Sequence, residues 1–242
     1  MRRPAAFFTI ALALGAIILA PLAGARADGR EEGPFEIEKC QTISKPGSYK
    51  LVRNLSGPFD AQGNCLVITA NFVTINLAGF SISGPGTFVG TGILAAPPLG
   101  SLLGIAVRNG SVSGFSDQVT LEAADGSIVE GLRVVGPGFH GISARGIVRG
   151  NTVTNIANGV GIFAQGTVTG NTADGNNDGI DIAFFPLSAS TVIGNTATNN
   201  TSFGIFVQCP ANVTDNTAVN NAEGRNLALF GDGCNNTNNV AP

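Results

Sequence analysis

Hydrophobic and polar positions alternate along this chain in short runs. Four segments show the pattern most clearly: HGISAR (140–145), VGIFAQ (160–165), DGIDIA (178–183) and FGIFVQ (203–208). In them every second residue is apolar, as in Ile142 and Ala144 or Ile205 and Val207. A period of two is typical of β-strands with one buried face, and helical periodicity is missing after residue 27. The pattern predicts an all-β fold of short strands separated by Gly and Asn turns.

A second family of segments runs between the first. It comprises VRNGSV (107–112), VEGLRV (129–134), VRGNTV (148–153), VTGNTA (168–173), VIGNTA (192–197) and VTDNTA (213–218). From Val107 onward the steps are 22, 19, 20, 24 and 21 residues. Units of this length cannot bury an apolar face alone and must stack. We therefore predict a single right-handed parallel β-helix of about eight coils, each about 4.8 Å above the last.

The asparagines of the repeat occupy one position on successive coils. They are Asn151, Asn171, Asn195 and Asn216. Asparagine tolerates the left-handed conformation of tight turns, so we expect these residues to adopt it between strands. We also expect their stacked amides to hydrogen-bond to each other along the helix axis.

The four cysteines form two pairs with equal spacing. Cys40 and Cys65 are 25 residues apart, and so are Cys209 and Cys234. This separation is about one coil, and residues one coil apart lie near 5 Å, within reach of a disulfide. We predict disulfides Cys40–Cys65 and Cys209–Cys234, which would link the first and the last coil each to its neighbouring coil.

The N-terminal segment has the features of a secretory signal peptide. Arg2 and Arg3 precede an apolar run from Ala5 to Leu22, and an A-x-A pattern ends at Ala27. We expect residues 1–27 to be the signal peptide and 28–242 the β-helix domain, secreted or periplasmic, with no membrane span after cleavage. Residues 28–242 hold 10 basic and 16 acidic residues, a net charge of −6, which disfavours nucleic acid as a partner.

The NxxGI and GNTA repeats resemble a known group of proteins. They are similar to the right-handed β-helix repeat proteins of the pectate-lyase-like superfamily, over about residues 36–238. The segments CQTISKPGSYKLVRNL (40–55) and VTINLAGFSISG (73–84) resemble the opening coils of exported bacterial members. The resemblance implies the fold but no single activity, because the superfamily includes lyases, hydrolases, epimerases, tailspikes and non-catalytic surface proteins.

One stretch carries candidate catalytic residues. GNNDGIDI (175–182) resembles the NTDGID stretch of polygalacturonases, with Asp178 at the position of a catalytic carboxylate. Asp181 on the same strand and His140, the one histidine, complete the candidate set. The match is incomplete, since NNTSFGI (199–205) one coil later holds no carboxylate and His140 lies upstream. The alternative is that this stretch is a scaffold turn, and the pattern favours a protein that is not an enzyme.

Metal ligands are scarce in this sequence. One His, one Met and four Cys in expected disulfides leave no set for copper or zinc, so we expect no cofactor and no metal site of that kind. Calcium stays open, because Asp178 and Asp181 offer a few of the roughly six to eight oxygens that it prefers.

The outward side of the GI strands suggests a binding surface. The candidate ligand-binding residues are Arg145, Phe163, Gln165, Phe206 and Gln208. Aromatic rings beside amides and charges suit stacking on sugars. Alternatively, the loop AFFPLSAS (183–190) covers Phe163 and Phe206 as a small additional core.

The favoured function is therefore an exported protein that interacts with polysaccharide through this face, by binding or with weak catalysis. Two alternatives stay open. One is a polysaccharide lyase, hydrolase or epimerase, and the other is a purely structural cell-surface protein.

Overall fold

The computed structural model describes residues 33–86, 88–183, 189–222 and 225–242. The expected signal peptide and residues 184–188 of the loop expected over the GI strands lie outside the described residues. Within the described ranges, no helix has the length and apolar character needed to cross a membrane.

The described residues form 24 strands. The first twelve are β1 (Phe35–Ile37), β2 (Gln41–Ile43), β3 (Gly47–Leu51), β4 (Leu66–Ile68), β5 (Val73–Asn76), β6 (Ser81–Ser83), β7 (Thr91–Ala95), β8 (Leu102–Leu103), β9 (Ala106–Ser113), β10 (Asp117–Leu121), β11 (Ala124–Asp125) and β12 (Ser127–Val135). The others are β13 (His140–Arg149), β14 (Thr152–Thr154), β15 (Val160–Thr169), β16 (Thr172–Asp174), β17 (Asp178–Ile182), β18 (Ser190–Ile193), β19 (Thr196–Thr198), β20 (Ile205–Gln208), β21 (Ala211–Thr214), β22 (Thr217–Val219), β23 (Leu227–Phe230) and β24 (Cys234–Thr237).

The strands stack in parallel, each on the strand one turn away, which confirms the predicted parallel β-helix. The first sheet contains β2, β4, β7, β10, the first halves of β13 and β15, then β17, β20 and β23. The second sheet contains β1, β3, β5, the first parts of β9 and β12, the second halves of β13 and β15, then β18, β21 and β24. The third sheet contains β6, the later parts of β9 and β12, then β14, β16, β19 and β22.

The described part of the chain makes about nine turns, slightly more than the eight expected. The first turns carry no NxxGI motif, so the repeat alone undercounts them. Registers inside the helix follow the repeats closely: Ile142, Ile162, Ile180 and Ile205 form one inward column. All four are fully buried, which stabilises the stack by about 1.5–3 kcal/mol per aliphatic side chain.

The repeat asparagines form the expected amide ladder. Asn151, Asn171, Asn195 and Asn216 are about 1% exposed, and each Nδ2 of the first three donates to the next Oδ1 at 3.0 Å. Each Nδ2 also donates to the backbone carbonyl of a valine one turn earlier, which satisfies the buried amides.

The expected turn conformation of these asparagines is wrong. The left-handed conformation belongs to the residue before each of them, with φ of 62° at Gly150 and Gly170, 64° at Gly194 and 57° at Asp215. The asparagine itself must point its amide into the core, so the residue before it makes the turn.

Both expected disulfides are present. Cys40–Cys65 and Cys209–Cys234 join adjacent turns, with Cα–Cα distances of 4.4 and 5.1 Å. They connect turns near the two ends of the described β-helix.

Candidate functional site

The outward side of the first sheet between β10 and β20 carries the predicted site residues, and we call it the charged face. Its first column runs Asp117, His140, Val160, Asp178. Its second column runs Thr120, Ser143, Phe163, Asp181, Phe206. Arg145 pairs in register with Gln165, and Gln208 ends β20. The stacking therefore places all the residues singled out on the GI strands along one face.

His140 is joined to a partner that the repeat pattern does not reveal. Its Nδ1 lies 2.8 Å from Asp117 Oδ1, one turn earlier on β10. This hydrogen bond raises the pKa of His140, and burial acts in the opposite direction. The charges of Asp117, Glu122 and Asp181 also raise it. Sequence reasoning missed Asp117 because β10 lacks the GI motif; its place one repeat before His140 was the available signal.

Glu122 is a second carboxylate that the motifs did not indicate. It accepts a hydrogen bond from Ser143 Oγ, and Ser143 is fully buried under the face. Glu122 follows β10, and its charge contributes to the raised pKa of His140. The face therefore holds more acidic groups than the sequence motifs suggested.

Asp181 has the most perturbed carboxyl group of the face. Burial raises its pKa to about 7, with a further rise from the charge of Asp178 and a smaller opposing effect of His140. Its Oδ1 is buried and finds no hydrogen-bond partner among the described residues, and the same holds for Thr120 Oγ1. A buried carboxyl group without partners binds a proton near neutral pH, because its charged form is poorly solvated.

Asp178 has a role in the scaffold. Its Oδ1 accepts a hydrogen bond of 2.9 Å from the Phe203 backbone NH, one turn later. One oxygen of this carboxylate thus holds the turn that leads into β20. This contact agrees with the interpretation of NNDGI as a scaffold turn. It uses Oδ1 alone and leaves Oδ2 for other partners.

Aromatic side chains lie between the charged groups. The Phe163 ring is 5.8 Å from the His140 ring, and the Phe206 ring is 5.4 Å from that of Phe203. The Arg225 guanidinium stands 5.0 Å from the Phe203 ring. Phe163 and Phe206 are half-buried. Together they offer ring faces flanked by hydrogen-bonding groups, an arrangement that suits a sugar.

Comparison with known proteins gives one family match. The family described as "Periplasmic copper-binding protein (NosD)" matches residues 103–238. No curated protein matches the chain significantly.

Two solved structures are similar to this one. The Dettilon tailspike protein (gp208) is 16% identical, with a TM-score of 0.51, and the match covers 84% of this chain. It covers 53% of the tailspike chain, so this protein spans about half of that chain's length. The A-module of the Azotobacter vinelandii mannuronan C-5 epimerase AlgE6 is 13% identical, with a TM-score of 0.44 and coverage of 86% and 80%. At such identity the tailspike likeness shows the fold alone.

The residues present do not fit the copper site that the family description implies. Copper in proteins is held by imidazole, thiolate and thioether groups. The sequence has one His and one Met, and its four Cys are joined in disulfides. His140 Nδ1 faces Asp117, and no group of three or more His, Cys, Asp or Glu at ligand spacing occurs among the described residues.

Proposed function

The chain belongs to the NosD family of periplasmic copper-binding proteins, and from its charged face we propose that it is an exported protein that binds a polysaccharide. The observation that carries the proposal is the position of Phe163. Its ring lies beside the Asp117–His140 pair, and one turn later in the same column comes Asp181. Arg145 and Gln165 share the strands and the outward side.

The arrangement suits a sugar polymer for three reasons. Half-buried rings offer apolar faces to the C–H side of a sugar. Carboxylates, an imidazole and an amide accept and donate hydrogen bonds to hydroxyl groups. Side chains of successive turns stand about 4.8 Å apart, so an extended polymer lying along the face can contact several turns at once.

The charge of the face limits the class of polysaccharide that it can bind. On the described part of the charged face, four acidic side chains, Asp117, Glu122, Asp178 and Asp181, outnumber two basic ones, His140 and Arg145. An excess of carboxylates repels polyanions. We therefore expect neutral polysaccharides to bind more tightly than acidic ones at this face.

The test is a binding screen of the exported protein against neutral and acidic polysaccharides, with product release recorded in parallel and with and without calcium. Phe163→Ala and Phe206→Ala should each weaken binding about tenfold, because each removes a stacking ring. Phe72→Ala is the matched control, since Phe72 is 64% exposed and precedes β5 of the second sheet. Equal affinities for all four proteins would overturn the proposal.

A second function is favoured by one specific observation, the pKa of about 7 at Asp181. A group that titrates near neutral pH, with the Asp117–His140 pair on the same face, suits proton transfer on a bound sugar. Hydrolase, lyase or epimerase activity would then appear as product release. Asp181→Asn should abolish that release and leave binding intact, whereas Phe163→Ala should weaken binding in either case.

A further inference from the structure

A concave site lies on a different side of the β-helix from the charged face. On the outward side of the second sheet, a cleft of about 460 Å³ crosses β3, β5 and β9. Its lining consists of Pro34, Ser48, Tyr49, Lys50, Thr74, Asn76 and Arg108. We call it the second-sheet cleft, and none of its lining residues belongs to the charged face.

The charged groups that line this cleft are both hydrogen-bond donors. Lys50, Asn76 and Arg108 follow each other in one column on three successive turns. Lysine and arginine side chains only donate. The Asn76 Oδ1 already accepts from the Ala78 backbone NH at 2.9 Å and from Asn109 Nδ2 at 3.5 Å, which leaves its Nδ2 for a ligand.

Arg108 supplies the second observation. Its Nε is buried, yet it meets no acceptor in the part of the chain that the structure describes. A buried N–H group without a partner costs about 1–3 kcal/mol. A ligand oxygen in the second-sheet cleft would instead meet the accessible part of the Arg108 side chain, which lines the cleft and is 36% exposed.

The nearest carboxylate only partly neutralises Arg108. Glu130 Oε1 lies 3.4 Å from Arg108 Nη1, while Glu130 Oε2 lies 2.5 Å from Arg149 Nη2 and 2.7 Å from Arg149 Nε. One carboxylate thus serves two guanidinium groups and is closer to Arg149. Glu36 is in register with Lys50 but exposed, so the column keeps a net positive charge with three basic and two acidic side chains.

We infer that the second-sheet cleft binds the oxyanion of a small ligand, a carboxylate, sulfate or phosphate group. Lys50 and Arg108 neutralise the anion, and Asn76 Nδ2 donates to it from between them. Ser48 and Thr74, which are in register, present hydroxyl groups to the rest of the ligand. A volume of about 460 Å³ is in the range of small-molecule sites and exceeds the need of a bare ion, so a sugar acid is the class that fits.

The test is calorimetric titration of the whole exported protein with glucuronate, with glucose as the uncharged counterpart and with inorganic phosphate as the free oxyanion. Glucuronate should bind and glucose should not. Arg108→Gln should weaken glucuronate binding about tenfold, because a charge-assisted hydrogen bond is lost. Glu130→Gln should strengthen it, because Arg108 loses its competing carboxylate.

Arg133→Gln is the matched control, since it removes the same charge from an exposed position on the third sheet. Thermal unfolding of each variant confirms that it is folded. If phosphate binds more tightly than glucuronate and that binding is lost in Arg108→Gln, the outcome supports the oxyanion site and identifies the free ion as its ligand. Equal binding of glucose and glucuronate, or an Arg108→Gln protein that is folded and binds normally, overturns the inference. Phe163→Ala changes none of these results, which keeps this site separable from the charged face.

Discussion

At the scale of single residues, burial governs the chemistry of the charged face. Burial disfavours the charged form of the Asp181 carboxyl group, and its pKa therefore rises to about 7. The pKa of His140 is also raised, but for a different reason: the ring is hydrogen-bonded to the Asp117 carboxylate. An acid whose pKa is raised to about 7 and an imidazole whose pKa is also raised thus share one face.

This predicts a pH dependence of stability that depends on Asp181. Its folded pKa lies above its unfolded value, so the folded state binds the proton more tightly and loses relative stability as the pH rises from about 4 to about 7. Asp181→Asn removes the buried charge and should raise the free energy of unfolding by about 2 kcal/mol at pH 8, with little change at pH 4. Urea unfolding at the two pH values measures this.

Asp232→Asn is the control, since Asp232 is exposed. It should show the pH dependence of the unchanged protein. If Asp181→Asn has the same slope as that protein, Asp181 does not carry its proton in the folded state.

At the scale of the elements, the turns between strands are held by buried amides. The first ladder stands at the start of the third sheet, at Asn151 and its equivalents. A second ladder of Asn176, Asn200 and Asn221 follows at the end of that sheet. In each ladder the Oδ1 also accepts from the backbone NH of the preceding ladder asparagine. Amide ladders therefore fix the corners on both sides of the third sheet.

Removing one amide from the middle of a ladder should destabilise the fold strongly. In Asn195→Ala, the Asn171 backbone NH and Nδ2 lose an acceptor, and Val168 O loses a donor, all of them buried. We expect a loss of about 3–5 kcal/mol in the free energy of unfolding. Chemical denaturation measures it, with Asn235→Ala as the control because Asn235 is exposed and makes one side-chain bond. Similar losses in both proteins would show that the ladder adds nothing beyond an ordinary surface amide.

At the scale of the whole molecule, the β-helix is a stack in which each turn touches only its neighbours. Its stability is therefore a sum of local terms, and the outermost turns have one neighbour fewer. The two disulfides join turns at opposite ends. The N-terminal bond lies away from the charged face, whereas Cys209 directly follows Gln208, the last residue of that face.

A double variant without the C-terminal disulfide should loosen one end alone. In Cys209→Ala/Cys234→Ala, amide hydrogen exchange should speed up in β23 and β24 and stay unchanged in β13 and β15. The matched variant Cys40→Ala/Cys65→Ala should show the mirror effect in β1 and β2. Exchange that rises evenly along the chain in either variant would mean that the β-helix unfolds as one cooperative unit.

Sequence alone determined the stack, the register of its later turns and both disulfide pairs. The reason is that residues one repeat apart become direct neighbours, so spacing along the chain is converted into distance in space. The repeat also placed His140, Phe163, Asp181 and Phe206 on one face. It did not reveal Asp117 or Glu122, because β10 lacks the motif and comes after a repeat with a step of 30 residues between Ser81 and Ser111. Only the tertiary structure decided how deeply Asp181 is buried, how Arg108 shares the Glu130 carboxylate with Arg149, and where the second-sheet cleft lies. These features depend on how side chains from several turns pack and interact electrostatically.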